Sequence, residues 1–249
     1  LPQGLFAVSM ATFLLPALSE LAAEKKFDDF RNNIDEAARH LLFLNLPAAV
    51  LLFVLAEPIV QLLFQYGEFT AAATERAAWA LRCLAPALPG YSLVLVLARA
   101  FYALGDIKTP VRISITCLGI NLVLALVLVN QFESGLRQGA FGIANTISST
   151  LNAALLWSAL RRKEELAPIA LPGLRKQLPA MVIIAALAGV IGWWVCQELN
   201  GEMVTVAARL ESVFLPLLGS GVLYWVLSSL AGVDSPKAIL GIFRPTKRE

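Results

Sequence analysis

Histidine is all but missing from this 249-residue chain, cysteine is scarce, and charge is thin. His40 is the only histidine, so no second imidazole is present to complete a metal pair or a nucleophile–base relay. The three cysteines, Cys83, Cys117 and Cys196, are odd in number and far apart, which gives neither a disulfide framework nor a metal-ligand spacing; they read as small apolar residues. No Gly-x-x-x-x-Gly-Lys motif occurs, so the chain lacks the phosphate cradle of an ATP motor. Only 15% of residues are charged; the net charge of +2 says little by itself, and no nucleic-acid partner is expected. These absences leave no catalytic and no metal-binding residues to nominate, and an integral membrane enzyme is disfavoured.

Long uncharged runs fill the chain instead. Hydrophobic residues make up 58% of it, and the mean hydropathy is +0.71, far above a soluble domain. Leu1–Ser19, Ile113–Phe132, Gln138–Leu160 and Ser212–Val233 each hold about 19 to 23 residues without Asp, Glu, Lys or Arg, near the roughly 20 that cross a bilayer. Leu41–Phe64, Ala77–Ala103 and Gln177–Gln197 are interrupted versions of the same pattern. A soluble helical protein would show amphipathic stripes with polar outer faces, whereas these segments are apolar all round. The expected fold is all-α: a polytopic membrane protein of about seven transmembrane helices. The chain opens at Leu1 already inside a hydrophobic run, as a piece of a longer protein would, and no basic region precedes that run as in a signal peptide.

Charge falls in a pattern. If the chain weaves back and forth, Ser19–His40, Gly105–Arg112, Arg161–Lys176 and the tail after Val233 share one side, and they hold 15 of the 20 basic residues. The positive-inside rule then makes that side, and the C-terminus, cytoplasmic. Within the first of these loops Phe27, Phe30, Ile34 and Leu41 recur at helical intervals among charged residues. This pattern fits a helix lying on the membrane surface or a solvated helical connector. Pro168, Pro172 and Gly173 mark residues 164–176 as a cytoplasmic linker, setting residues 177–249 apart from residues 1–163.

Several polar features remain inside the spans, and they are of the kind transporters use. Arg82 and Arg99 both lie on Ala77–Ala103, and an arginine in hydrocarbon is costly enough to suggest a role, although either is close enough to an end to snorkel. A guanidinium suits phosphate because its fork of donors matches the oxyanion bidentately. Between the two arginines come Pro86, Pro89 and Gly90, where the helix should bend or open, as a hinge or as a static kink. Asn121, Asn145, Thr146 and Asn152 either line a cavity or bond between helices.

The motifs, taken together, resemble one family. Leu1-Pro2-Gln3-Gly4-Leu5-Phe6 with Leu15-Pro16-Ala17-Leu18-Ser19, then Leu63-Phe64-Gln65-Tyr66-Gly67-Glu68-Phe69-Thr70, then Arg99-Ala100-Phe101-Tyr102-Ala103-Leu104-Gly105-Asp106 through Lys108-Thr109-Pro110 to Asn121, and finally Gly139-Ala140-Phe141-Gly142-Ile143-Ala144, occur in the order and spacing of the lipid II flippases known as MurJ or MviN. The resemblance implies the second half of a 14-helix, two-lobe transporter, from the end of segment eight through segment fourteen. It implies residues 1–163 as the C-terminal lobe and residues 177–249 as two extra helices with a tail. The substrate implied is an undecaprenyl-diphosphate-linked peptidoglycan precursor, moved from the inner to the outer leaflet of the bacterial inner membrane by alternating access, with membrane lipids and a first lobe as partners. Arg99 matches the family's tenth-segment arginine and becomes the leading diphosphate contact. Arg82 has no such match. No cofactor is implied, and coupling to the membrane potential or to a cation stays open, because Ala125 stands where some members carry an acidic residue one turn after the position of Asn121.

Overall fold

The computed structural model describes residues 8–66, 68–132, 135–166, 170–199 and 206–236, with side chains from Phe13 onward in the first helix and from Arg209 onward in the last. The Leu1–Phe6 motif, Gly67, Pro168 and the tail residues Lys237, Arg244, Lys247 and Arg248 lie outside the described residues.

The described chain is helical: α1 (Val8–Ala23), α2 (Phe27–Val54), α3 (Ala56–Phe64), α4 (Ala71–Leu84), α5 (Ala87–Ala103), α6 (Lys108–Gln131), α7 (Gln138–Leu160), a 3₁₀ turn (Glu164–Leu166), α8 (Pro172–Leu199) and α9 (Val206–Leu230). Prolines sit inside α1, α2, α8 and α9, as membrane helices tolerate where neighbours satisfy the freed carbonyls. Five segments are long and apolar enough to cross a membrane: α2, α4 with α5, α6, α8 and α9. α7 is not among the five, although its 23 residues rise about 35 Å. Asn145, Thr146, Ser148, Ser149, Thr150 and Asn152 lower its apolarity, and α7 turns much of that polarity inward, packed against α4, α5 and α6. The fold is that of an all-α, polytopic membrane protein.

The surface helix expected between Glu20 and Arg39 is not there. α1 ends at Ala23, Lys25 turns the chain with a φ of 59°, and α2 runs unbroken from Phe27 to Val54. Its apolar stripe is covered by protein rather than by lipid headgroups or water. Phe30 and Ile34 are fully buried with Leu14 and Leu18 of α1, Val96 and Phe101 of α5, and Leu156 and Leu160 of α7. Burying Phe30 alone stabilises by about 2 kcal/mol, more than a headgroup surface offers a half-immersed ring.

α8 begins at Pro172, within the stretch read as linker, with a proline at its first position where no intrahelical N–H is needed. Asp35 of α2 caps it, accepting hydrogen bonds from the backbone N–H groups of Gly173 (3.1 Å) and Leu174 (2.9 Å). Arg39 joins Asp35 (3.3 Å) to Asp234, just past α9 (3.0 Å), and Gln177 donates to the same Asp234 carboxylate at 2.6 Å. Deeper, Phe43 of α2 packs on Tyr224 and Trp225 of α9, with ring centroids 5.0 and 5.6 Å apart, among Met181, Ile184 and Ala185 of α8. The last two helices are thus held to α2 by a polar clamp at one end and an aromatic contact within the span.

The Asp35–Arg39–Asp234 clamp joins two of the four basic segments, Ser19–His40 and the stretch after Val233 at the end of α9. Lys163, after α7, meets Asp106, before α6, at 2.6 Å and ties the other two together. We call this the basic end of the bundle.

Candidate functional site

The span from Ala77 to Ala103 is two helices. α4 starts earlier than expected, at Ala71, where Thr70 accepts a hydrogen bond from the N–H of Ala73. It stops at Leu84, and α5 resumes at Ala87. The break is at Ala85–Pro86: proline has no N–H for the carbonyl of Arg82, and its ring crowds the preceding turn. Pro89 lies in the first turn of α5, where it disturbs nothing.

α7 supplies what the break exposes. Thr146 donates its hydroxyl to the carbonyl of Cys83 at 2.9 Å, and Ser149 reaches the carbonyl of Ala87 at 3.5 Å. The close approach depends on Gly142, where a Cβ would fall 2.7 Å from Cys83 Cβ and 2.8 Å from the Leu84 nitrogen. Gly90 answers from the other side, its open position filled by the Ser149 side chain. Thr146 therefore ties α7 to the broken helix. Another face of α7 holds α6 through Ser148, which donates to the Cys117 carbonyl at 2.9 Å, and through Asn152, which donates to Ser114 at 3.3 Å.

Asn121 and Asn145 meet between α6 and α7. The Asn145 side-chain oxygen accepts from Asn121 at 3.3 Å and from the Tyr91 hydroxyl at 3.0 Å, linking α6, α7 and α5. Tyr91 was not among the expected residues; its signal was its place directly after Gly90, at the start of a helix that turns an open face to its polar neighbours.

Arg99 lies on that open face of α5, at helical spacing i+8 from Tyr91 and so about 12 Å nearer the basic end. It is half-buried, its Nε is fully enclosed without a hydrogen-bond partner, and among the described residues no carboxylate pairs with it. An unneutralised guanidinium inside a span is expensive, so it is retained where it meets an anion or water. Just beyond it, α5 closes on Gly105, with φ +74°, and Asp106 accepts from the Thr109 N–H (3.1 Å) and hydroxyl (2.8 Å) to start α6. The hydrogen bond from Lys163, aided by those from Thr109, holds the Asp106 carboxyl down to about 2. Within the family-like motif, Gly105, Asp106 and Thr109 thus build the turn, and Arg99 is left over for another purpose.

Arg82 does not join Arg99. It sits 17 positions earlier, about 25 Å along the helical path, and its Nη2 meets Glu57 Oε2 at 3.2 Å. Both line a cavity of about 540 Å³ at the end of the bundle opposite the basic end, between α3, α4, α8 and α9. Arg209 lines the same cavity. It donates to the Gln65 carbonyl at 3.0 Å and stacks 5.7 Å over the Tyr66 ring.

A family model described as "Lipid II flippase MurJ" matches residues 1–214. A "Probable lipid II flippase MurJ" of Vibrio cholerae is 36% identical over 64% of this chain and 30% of its own length. Another, of Bdellovibrio bacteriovorus, is 30% identical over 94% of this chain and 43% of its own length. A "Lipid II flippase MurJ" of Burkholderia cenocepacia is 32% identical over 77% and 36% respectively. The chain thus spans well under half the length of these relatives. With matched residues running from α1 into α9, the chain belongs to the lipid II flippase MurJ family.

Proposed function

We propose that the full-length protein containing this chain is a flippase of the bacterial inner membrane. It carries lipid-linked peptidoglycan precursor from the inner to the outer leaflet by alternating access, without nucleotide chemistry in this chain. Residues 1–163 form its C-terminal lobe, residues 164–176 a cytoplasmic connection that runs into the first turn of α8, and residues 177–249 the rest of two added helices and a tail. The basic end faces the cytoplasm, in keeping with the clustering of Lys and Arg there. The open face of α5, with Arg99 below the Tyr91–Asn145–Asn121 cluster, lines the path of the headgroup between the two lobes.

One observation carries this reading: Arg99 stands in a span with no counter-charge among the described residues. The substrate's diphosphate supplies that charge, and the planar guanidinium takes it bidentately. The Ala85–Pro86 break lets the outer part of α4 tilt relative to α5 as the lobes rock, a use of interrupted helices common to alternating-access transporters.

The test is export in bacteria depleted of their own lipid II flippase, using the full-length protein. Wild type should restore both growth and the lipid II that reaches the outer leaflet. Arg99→Ala, expressed to the same level, should lose export, and Arg99→Lys should recover only part of it. Full activity of Arg99→Ala would refute the site. Stable wild-type protein that exports no lipid II would refute the substrate, pointing to another polyprenyl-diphosphate glycan or to a non-transporting scaffold for wall synthesis.

A further inference from the structure

The cavity at the end opposite Arg99 has no part in the path just described, and its lining is that of a binding site. Two guanidiniums, Arg82 and Arg209, line it with Glu57, Gln61, Gln65 and Trp193. Its volume of about 540 Å³ is in the range that takes a headgroup-sized ligand. Each arginine carries five N–H donors, and the contacts described above engage only part of each set. Glu57 neutralises Arg82, so the cavity keeps about one net positive charge, from Arg209.

Both guanidiniums are already oriented. The Gln65 carbonyl and the Tyr66 ring fix Arg209 from two directions, and Glu57 fixes Arg82 across the α3–α4 junction. An anion entering here meets preset donors and does not have to order two long side chains, which is the usual entropic cost of an arginine contact. Trp193 and its neighbour Trp194 are both about half exposed near the end of α8. Indoles in that position mark the depth of lipid headgroups. The cavity therefore lies level with a membrane interface and is walled partly by α3 and α4 of the lobe and partly by α8 and α9.

We infer that this cavity binds the phosphate of an anionic ligand at the interface opposite the basic end, with Arg209 as its principal contact, Arg82 as a second, and the amide side chains of Gln61 and Gln65 as further partners. Combined with the orientation proposed above, on which this part rests, that interface is the outer leaflet, where the phosphate of a lipid headgroup arrives on the exit side. A free phosphate or diphosphate offers the same chemistry.

The test uses the purified full-length protein in detergent and measures binding of inorganic pyrophosphate and of farnesyl diphosphate to wild type, Arg209→Gln, Arg82→Gln, Glu57→Gln and Arg99→Ala. Loss of a charge-assisted contact in Arg209→Gln should weaken binding about tenfold or more. Glu57→Gln removes the competing carboxylate and should tighten binding. Binding of both probes supports a free-phosphate source, and binding of farnesyl diphosphate alone supports a lipid headgroup. Absence of binding by either probe overturns the inference, as does equal affinity in wild type and Arg209→Gln. Should Arg209→Gln fail to fold, Arg82→Gln in the Glu57→Gln background carries the same test. Because Arg99 is itself proposed to hold a diphosphate, each comparison is repeated in the Arg99→Ala background, where the binding that remains and is weakened by Arg209→Gln belongs to the outer cavity; failure of the outer site and failure of the transport reading then give different results.

Discussion

Asp35 is one carboxylate on which the docking of two helices depends, and replacing it with alanine tests how the bundle is assembled. The residue is buried, at 6% exposure, and its two oxygens cap the first turn of α8 through the N–H groups of Gly173 and Leu174. Asp35 sits where the helix dipole favours a negative charge, and it also offsets Arg175 and Lys176, which stand unfavourably in the opening turns of α8. Losing an N-cap costs about 0.5–2 kcal/mol. The substitution also strips Arg39, whose side chain is only 15% exposed, of one of its two carboxylates and leaves it the more exposed Asp234. Together these put the cost of Asp35→Ala at about 2–3 kcal/mol, which for a unit of this size lowers the melting midpoint by about 5–10 °C. Asp35→Asn keeps one acceptor for the cap and should lose roughly half as much. A thiol-reactive fluorophore in detergent reads the transition directly, because Cys117 and Cys196 are buried and become reactive as the helices separate. A midpoint for Asp35→Ala within about 1 °C of wild type would show that the clamp does not hold α8 and α9, and that the Phe43 contact suffices without it.

Other outcomes follow from the same geometry. Phe43→Ala should cost about 3–5 kcal/mol by emptying the space between Tyr224 and Trp225, measurable as an earlier thiol-labelling transition. Gly142→Ala drives a methyl into Cys83 and the Leu84 nitrogen and should cost about 1–3 kcal/mol, with the loss seen in both thermal stability and export. Thr146→Val keeps the shape but leaves the Cys83 carbonyl without its hydroxyl donor, a loss of about 1–3 kcal/mol on the same thermal assay. For Asp106 the folded carboxyl sits at about 2, below its ordinary 3.8, so its stabilisation is complete above pH 4 and fades as pH falls toward 2. With solvent screening that amounts to about 1 kcal/mol, and Asp106→Asn should flatten the stability profile between pH 4 and 2.

What could be read in advance divides along physical lines. The Ala85–Pro86 break was legible because proline's missing donor and its clash act within one turn and need no neighbour. The role of Thr146 was not, since it depends on which carbonyl of α4 lies opposite α7, a register set by Gly142 and by packing about 60 residues away in sequence. The stripe of Phe30 and Ile34 was legible as a helix but not as a buried one, because the same period serves a membrane surface and a helix bundle. Only α1, α5 and α7 coming together over it decides between the two. Arg82 and Arg99 show the same limit in the site. They share one hydrophobic run and stand near its opposite ends. Each then took its character from its surroundings: Arg82 from Glu57, and Arg99 from having no carboxylate partner among the described residues. A charge inside a membrane segment can be found from sequence by its cost; whether that charge is already satisfied is a tertiary fact, and here it separates Arg99, the proposed diphosphate contact, from Arg82, which pairs with Glu57 at the wall of a cavity.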